Sequence, residues 1–487
     1  MQKISELQPG EVWSYFEEIL AIPRISKQEE KIIQYLESFA KEHGLDCKRD
    51  QVGNVLISKP ATPGMESKKG VILQSHLDMV GEKNAGSKHD FSKDAIQPLF
   101  DQGWIRAKGT TLGADDGIGI AASMAILASD RIKHGPLECL FTVDEESGMT
   151  GAFGLQPGFV KGSVLLNLDS EDEGEIFIGC AGGIDTVALL KLKKRRVGRN
   201  RVALRVRIGG LKGGHSGDEI HKGLGNSIKI LNRFLWNADQ RFKVRLASIE
   251  GGNARNAIPR EAEAVITIPA NAIELLRVYF DSFATVVKRE MEVVEPGLEL
   301  SLEQVELPDM VIRRKQLKKL FNTLYACPHG VVAMSQEIPN LVETSTNLAS
   351  VRHIDEEMLE IVTSQRSSVE SSKQDIANRM FSLFTLLGAR VRHSDGYPGW
   401  KPNMDSELLN ISSEVYRDLF SKDAEIKAIH AGLECGLFLQ KYPDLDMVSF
   451  GPTIKGAHTP EEGIEIETVD RFWKLLLKML ERAPESK

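Results

Sequence analysis

Cysteine is scarce in this sequence. Five cysteines occur among 487 residues, and no two of them form a CxxC pair. Disulfide-stapled folds and cysteine-based structural zinc sites both depend on paired cysteines, so this spacing argues against either. We therefore expect a protein of a reducing compartment.

Other features are also missing. No run of about 18 apolar residues is present, which argues against a membrane span, and residues 1–13 lack the apolar core of a signal peptide. No Walker-type glycine loop with a lysine occurs, which argues against phosphate chemistry. The net charge of −8 argues against a nucleic-acid surface. We expect a cytoplasmic protein that binds neither membranes nor nucleic acid.

The length predicts two domains, because 487 residues exceed what one hydrophobic core usually organises. The apolar pattern changes near residue 184 and returns near residue 397. We therefore predict a discontinuous domain of residues 1–184 and 397–487, interrupted by an inserted domain of residues 185–396.

The first domain contains short, nearly continuous apolar runs separated by helical patterns. Strands are predicted at 70–75, 140–143 and 164–168, and a helix with apolar residues at 32–40 is predicted to begin with a capping box at Ser26. Such runs are typical of strands buried on both faces. The fold class is therefore predicted to be α/β, with a largely parallel sheet covered by helices on both faces.

The inserted domain shows a different pattern. Residues 202–208 and 262–268 alternate between apolar and polar side chains, while residues 270–291 and 371–387 have the spacing of amphipathic helices. Alternation indicates strands with one buried face. We therefore predict an α+β domain built on a largely antiparallel sheet.

Possible metal ligands follow three predicted strands of the first domain. In largely parallel sheets, ligands bind at the carboxyl ends of the strands, and divalent cations accept carboxylate oxygen and imidazole nitrogen. Taken alone, the acidic residues 144–146 would also be typical of a solvated turn, and a lone loop histidine usually has no special role. The candidate ligands are His76, Asp78, Asp115, Glu145, Glu146, Asp169 and His458.

These residues carry a resemblance to a known family. The motifs are 75–80 (SHLDMV), 111–119 (TLGADDGIG) and 142–149 (TVDEESGM), followed by Asp169 and His458. They resemble the two-zinc dipeptidases and aminoacylases that include carboxypeptidase G-like enzymes, and within them the aminoacyl-histidine (Xaa-His) dipeptidases. The resemblance implies a catalytic first domain and an inserted lid and dimerisation domain.

The resemblance also implies a centre of two divalent metal ions, with zinc as the first expectation and manganese or cobalt as alternatives. Asp115 would bridge the two ions. His76 and Asp169 would complete one site, and Glu146 and His458 would complete the other.

Three neighbouring carboxylates have different expectations. By resemblance, Glu145 is the general base, which takes a proton from the attacking water and passes it to the leaving amine. Asp78 would hold the imidazole of the ligand His76. Asp116 is the rival of Asp115 for the bridging position, and Asp144 matches no role.

Four residues outside the metal motifs complete the predicted site. By resemblance, His215 stabilises the oxyanion in the partner subunit of a homodimer, Arg366 binds the terminal carboxylate of the peptide, Asn256 contacts substrate, and Gly432 lies against substrate with its backbone. Without the resemblance, His215 would be an idle imidazole in a glycine-rich turn, and Arg366 and Asn256 would be surface polar residues.

The expected function is metal-dependent hydrolysis of dipeptides that have a free C-terminal carboxylate. Xaa-His dipeptides such as β-alanyl-histidine are included among the expected substrates. An aminotripeptidase or an N-acyl amino acid deacylase is the alternative on the same scaffold. A catalytically silent binding relative is the alternative from another class, although such a protein would be free to lose some of these residues.

Overall fold

The computed structural model describes residues 3–486, and these form two compact units. The first unit contains the chain up to Cys180, Trp400–Ala428 and the chain from Leu433 onward. The second unit contains Ala181–Gly399 and the short segment Ile429–Gly432. Among the described residues, no helix has both the length and the apolar character that a membrane span requires.

The helices are distributed over both units. In chain order they are α1 (Gly10–Leu20), α2 (Glu30–Glu42), α3 (Ala114–Ala128), α4 (Glu145–Gly148), α5 (Thr150–Gly154), α6 (Ser227–Phe242), α7 (Ile273–Met291), α8 (Arg314–Ala326), α9 (Glu370–Leu387), α10 (Glu407–Phe420), α11 (Glu434–Lys441) and α12 (Ile466–Glu481).

The strands are mostly short. In chain order they are β1 (Asp46–Arg49), β2 (Val55–Lys59), β3 (Val71–His76), β4 (Pro98–Asp101), β5 (Trp104–Ala107), β6 (Leu137–Thr142), β7 (Val164–Asn167), β8 (Glu175–Cys180), β9 (Gly182–Lys191), β10 (Lys194–Arg196), β11 (Arg201–Gly209), β12 (Arg245–Gly251), β13 (Ala262–Pro269), β14 (Glu299–Val305), β15 (Met310–Ile312), β16 (Gly330–Met334), β17 (Val342–His353), β18 (Met358–Ser367), β19 (Arg390–His393), β20 (Glu425–Ile429), β21 (Asp446–Ser449), β22 (Ile454–Lys455) and β23 (Gly463–Glu465).

The first unit is built on an eight-stranded sheet in the order β1-β2-β6-β3-β7-β21-β8-β20. The four central strands β6, β3, β7 and β21 run parallel, whereas β1, β2 and β8 pair antiparallel at the flanks. Every residue of β3 and β7 is buried. Because successive side chains of a strand point to opposite faces, both faces of this sheet are covered. The predicted α/β fold class is confirmed.

The second unit is built on an antiparallel sheet. Its strand order is β14-β11-β13-β12-β17-β18-β9-β19, and β16 pairs with β17. The predicted alternation is present in β11, where Leu204, Val206 and Ile208 are buried while Arg205 and Arg207 are exposed. The buried face packs with apolar residues of α6, α7, α8 and α9 to form one core.

One local prediction was wrong. The helix predicted at 32–40 is present as α2, and all of its predicted apolar residues are buried. It begins at Glu30, however, and no capping box forms, because the Ser26 hydroxyl donates to Asp78 Oδ2 at 2.8 Å. Ser26 therefore supports the candidate site and not the helix end.

Candidate metal centre

The candidate ligands meet where three parallel strands end. β3 lies between β6 and β7, so the carboxyl ends of all three open on the same edge of the sheet. His76 is the last residue of β3, and Asp169 follows β7 by two residues. Glu145 and Glu146 begin α4, just after β6. The topology therefore brings together residues that lie far apart in the sequence.

One group of donors surrounds His76. Its Nε2 lies 2.9 Å from Asp115 Oδ1 and 3.2 Å from Asp169 Oδ1. One donor atom from each of these three residues lies within 4.8 Å of the other two. The imidazole and both carboxylates are almost completely buried.

A second group surrounds His458. Its Nε2 lies 3.0 Å from Asp115 Oδ2 and 3.0 Å from Glu146 Oε1. Asp115 therefore presents one oxygen to each histidine, which is the arrangement that a bridging carboxylate needs. Asp116 differs, because its Oδ1 accepts a hydrogen bond from the backbone N–H of Gly119 at 3.1 Å. Its buried Oδ2 has no hydrogen-bond partner in the described part of the chain.

Asp78 connects several parts of the site. Its Oδ1 lies 3.4 Å from His76 Nδ1 and accepts a hydrogen bond from the backbone N–H of Glu145 at 2.9 Å. Its Oδ2 accepts from the backbone N–H of Glu146 at 3.1 Å and from Ser26. One fully buried carboxylate thus contacts an imidazole and anchors the first turn of α4. The resemblance implied only the contact to His76.

The three consecutive carboxylates do not continue the strand. An extended chain would point Glu145 and Glu146 in opposite directions, but the two residues begin the helical turn α4. Asp144 precedes it in the left-handed conformation, with φ 54°, and its side chain accepts hydrogen bonds from Ser147 and Thr150. The Asp144 side chain therefore holds the turn that presents the two glutamates.

The electrostatics of the site show an excess of buried negative charge. Burial raises the pKa of Glu145 well above its usual range and raises the pKa of Asp169 to about 7. Hydrogen bonds to Asp115 and Glu146 raise the pKa of His458 to about 11. Burial lowers the pKa of His76, but the charge of Asp169 and the hydrogen bond to Asp115 outweigh it and raise that pKa well above normal. This excess of negative charge favours a bound cation.

The donors fit divalent metal ions. Imidazole nitrogen and carboxylate oxygen suit zinc and similar cations. Two ligand atoms on one tetrahedral zinc, each at about 2.0–2.2 Å, lie roughly 3.4 Å apart, close to the separations of the donor atoms around His76 and His458. Glu146 Oε1 is buried and lies 3.0 Å from His458 Nε2. A divalent ion bound here would replace this contact and the one between His458 Nε2 and Asp115 Oδ2.

Sequence reasoning missed Glu462, whose buried carboxylate holds the loop before α3. Its Oε2 accepts from the backbone N–H groups of Leu112 and Gly113 at 2.8 and 3.0 Å, and its Oε1 accepts from Ala114 at 2.8 Å. The N–H of Asp115 is also within reach, at 3.4 Å. Glu462 therefore fixes the backbone that carries the shared carboxylate. No spacing pattern signals it.

A second missed residue is Glu434, the first residue of α11. It is almost completely buried, and its Oε2 accepts hydrogen bonds from Gln74 Nε2 and Thr142 Oγ1, both at 2.7 Å. Burial raises its pKa to about 8. The sequence did contain a signal for this residue, because Glu434 is a charged residue within an otherwise apolar helical segment, 433–438.

The other predicted residues lie in the second unit. His215 Nδ1 is 3.0 Å from Asp218 Oδ2, and the backbone N–H of His215 donates to Glu219 Oε2 at 2.9 Å. Asn256 is exposed, and its carbonyl oxygen accepts from the N–H of Ser216 at 2.8 Å. The His215 loop and the Asn256 loop are therefore adjacent.

Arg366 and Gly432 form another neighbourhood in the second unit. Arg366 is buried on β18, and its Nη1 donates to the Tyr397 hydroxyl at 2.9 Å. Gly432 lies against the same tyrosine ring, since a Cβ atom there would be 2.8 Å from Tyr397 Cε2. Tyr397 was not predicted from the sequence.

Known proteins similar to this chain agree with its architecture. A cytosol non-specific dipeptidase of Escherichia coli (strain K12) is 45% identical over 484 residues, which cover 99% of this chain and 100% of that protein. The crystal structure of an aminoacylhistidine dipeptidase from Vibrio alginolyticus matches with a TM-score of 0.92 and 45% identity, covering 100% of this chain and 99% of that one. A tripeptidase from Staphylococcus aureus, 16% identical with a TM-score of 0.56 and coverage of 97% and 98%, shares the fold.

A family model extends these similarities. The model described as peptidase family M20/M25/M40 matches residues 72–482, a stretch that includes every candidate ligand from His76 to His458. Since the match spans far more than half of the chain, this protein belongs to peptidase family M20/M25/M40.

Proposed function

We propose that this protein is a metal-dependent dipeptidase that hydrolyses dipeptides with a free C-terminal carboxylate, including Xaa-His dipeptides such as β-alanyl-histidine. The observation that carries the proposal is the Asp115 carboxylate, which presents one oxygen to His76 and the other to His458. The names of the E. coli and Vibrio relatives, a non-specific dipeptidase and an aminoacylhistidine dipeptidase, support the substrate class.

The metal ligands follow from the two donor groups. His76, Asp115 and Asp169 would hold one divalent ion, and Asp115, Glu146 and His458 would hold the other. We propose zinc, with manganese or cobalt as alternatives that the same donors accept. When bound, such ions polarise the carbonyl of the scissile bond and acidify the attacking water.

Glu145 is the proposed general base. Its side chain lies with His76 and Glu146 in a third close group of donors, and burial raises its pKa well above the usual range. A carboxylate with a raised pKa holds an accepted proton more firmly and can pass it to the leaving amine. Asp78 positions this base, because it accepts a hydrogen bond from the backbone N–H of Glu145.

The second unit is proposed to recognise the substrate. Arg366 is a buried guanidinium, and a planar guanidinium matches both oxygens of a carboxylate. We assign the terminal carboxylate of the dipeptide to Arg366 and further substrate contacts to Asn256 and to the backbone of Gly432. His215 is assigned to the oxyanion, in the partner subunit of a homodimer.

The two units have different proposed roles. The first unit, with all six metal-site and base residues, is the catalytic domain, and the second is the lid and dimerisation domain. The E. coli relative is named a cytosol dipeptidase, which supports a cytoplasmic location. Sedimentation at micromolar protein concentration tests the dimer, and a monomer with full activity would reject it.

An assay against a panel of substrates tests the function. Alanyl-histidine, β-alanyl-histidine and other dipeptides are offered beside a tripeptide and an N-acyl amino acid, with and without chelator, and with zinc, manganese or cobalt restored. We expect dipeptides to be cleaved, chelation to abolish cleavage and a metal to restore it. Preference for the tripeptide or the N-acyl amino acid would support the alternative activities, and no hydrolysis with any metal would indicate a silent binding protein.

A further inference from the structure

A row of residues crosses the antiparallel sheet of the second unit at Arg366. Ser345 on β17 lies directly opposite Arg366 on β18, and Arg366 lies directly opposite Gly183 on β9. Tyr397 pairs with Gly183 through an isolated bridge. Residues directly opposite one another in an antiparallel sheet have side chains on the same face. Ser345, Arg366 and Tyr397 therefore share one face.

The row has room for the tyrosine ring because two of its neighbours have no side chain. A Cβ atom on Gly183 would lie 2.6 Å from Tyr397 Cζ, and one on Gly432 would lie 2.8 Å from Tyr397 Cε2. The ring therefore lies close to both glycine backbones. From this position its hydroxyl reaches Arg366 Nη1 at 2.9 Å.

Arg366 itself is a buried charge with unused donors. Its relative exposure is 7%, and no described carboxylate forms a salt bridge with it, although the charge of Asp218 interacts with it at longer range. Its buried Nε has no hydrogen-bond partner among the described residues. A buried cation with no anion in direct contact is costly, so an anion that contacts the guanidinium is expected at this position. Because Nη1 already donates to Tyr397, Nε and Nη2 are the donors that remain for this anion.

The other neighbour in the row does not supply the missing anion. The Ser345 hydroxyl is within 2.7 Å of His430 Nε2, so it already has a hydrogen-bond partner. Burial and the charge of Arg366 lower the pKa of His430 to about 3, which keeps this imidazole neutral at physiological pH. A neutral His430 does not offset the positive charge of Arg366.

We propose that Tyr397 is the positioning residue of the carboxylate site. By accepting from Nη1, it turns the other edge of the guanidinium, formed by Nε and Nη2, towards the C-terminal carboxylate of the substrate. This inference rests on the proposed function, and it adds the residue that orients Arg366 and the edge that binds. Two parallel N–H donors on that edge match the two carboxylate oxygens.

The test compares Tyr397→Phe with the unaltered protein on a dipeptide and on its C-terminal amide. The substitution keeps the ring beside both glycines and removes only the hydroxyl. We expect KM for the dipeptide to rise about ten-fold, in line with the loss of one hydrogen bond to a charged group, while kcat changes less than about two-fold. The slow hydrolysis of the amide should not change. Tyr325→Phe is the matched control, because Tyr325 is exposed on α8.

A double-mutant cycle separates positioning from an independent effect. Arg366→Lys lacks the planar fork, so adding Tyr397→Phe to it should raise KM no further. Full additivity of the two changes would overturn the inference, as would a fall in kcat with an unchanged KM. If the unaltered protein cleaves acid and amide equally well, the proposed carboxylate recognition itself fails. If it discriminates and Tyr397→Phe leaves KM unchanged, only the role of Tyr397 fails.

Discussion

Asp78 offers the sharpest test of how the proposed metal centre is built. Its two oxygens accept hydrogen bonds from the backbone N–H groups of Glu145 and Glu146, at 2.9 and 3.1 Å, and from the Ser26 hydroxyl. Oδ1 also lies 3.4 Å from His76 Nδ1. Asp78→Asn keeps the size of the side chain and converts one oxygen into an NH₂ group, which cannot accept a hydrogen bond.

The geometry determines what this substitution removes. Because the two backbone N–H groups bind different oxygens, an asparagine can satisfy one of them and must oppose the other with its own N–H. A hydrogen bond to a charged group contributes about 1.5–3 kcal/mol, and we expect the free energy of unfolding to fall by at least that amount. Loss of the carboxylate beside the proposed ligand His76 should also weaken metal binding by about 10–100-fold.

Both effects can be measured without turnover. Competition with a chromophoric chelator gives the metal affinity, and urea unfolding of the chelated protein gives the stability. Asp423→Asn is the control, because Asp423 pairs with Arg417 on the surface and its side chain is 76% exposed. Unchanged metal affinity together with an unchanged urea midpoint in Asp78→Asn would refute the proposed role of this residue.

Three further predictions concern residues of both units. Glu145→Gln should abolish turnover while the protein still binds two metal ions, and metal loss in elemental analysis would reject its assignment as base. Glu462→Gln replaces one of the two oxygens that hold the loop before α3, so metal affinity should fall about ten-fold or more. An unchanged affinity would show that Glu462 does not support the metal site. Mixing inactive His215→Ala with inactive Glu145→Gln protein should restore some activity if His215 acts across a dimer, and no recovery in mixed dimers would count against it.

The central strands of the first unit could be predicted because they are short, nearly continuous apolar runs, which are typical of strands buried on both faces. All six residues of β3 are buried, including Gln74, Ser75 and His76, so the strand is covered on both faces. A largely parallel sheet follows from such runs, and in such a sheet the carboxyl ends of neighbouring strands meet. The convergence of His76 with Asp169 therefore followed from topology, before any distance was known.

Support from distant parts of the chain could not be predicted in the same way. Glu462 accepts hydrogen bonds from N–H groups about 350 positions earlier in the chain, and its own neighbours, Glu461 and Gly463, suggest an ordinary exposed turn. Local patterns predict which face of an element is buried, but a carboxylate that holds a remote loop leaves no periodic trace. At Ser26 the local pattern was present but misleading. The sequence predicted a helix cap, whereas the Ser26 hydroxyl donates a hydrogen bond to Asp78.

The three consecutive carboxylates at 144–146 illustrate how local conformation separates chemical roles. In a continued strand, neighbouring side chains would point to opposite faces, and one glutamate would be lost to the site. The left-handed Asp144 ends the strand, and the turn α4 then presents both glutamates on the same side as His76. Asp78 anchors that turn at both backbone N–H groups. Asp78 holds the backbone of Glu145 and Glu146 and leaves their side chains free of its own contacts. The proposed base and the proposed ligand can therefore be adjacent in sequence.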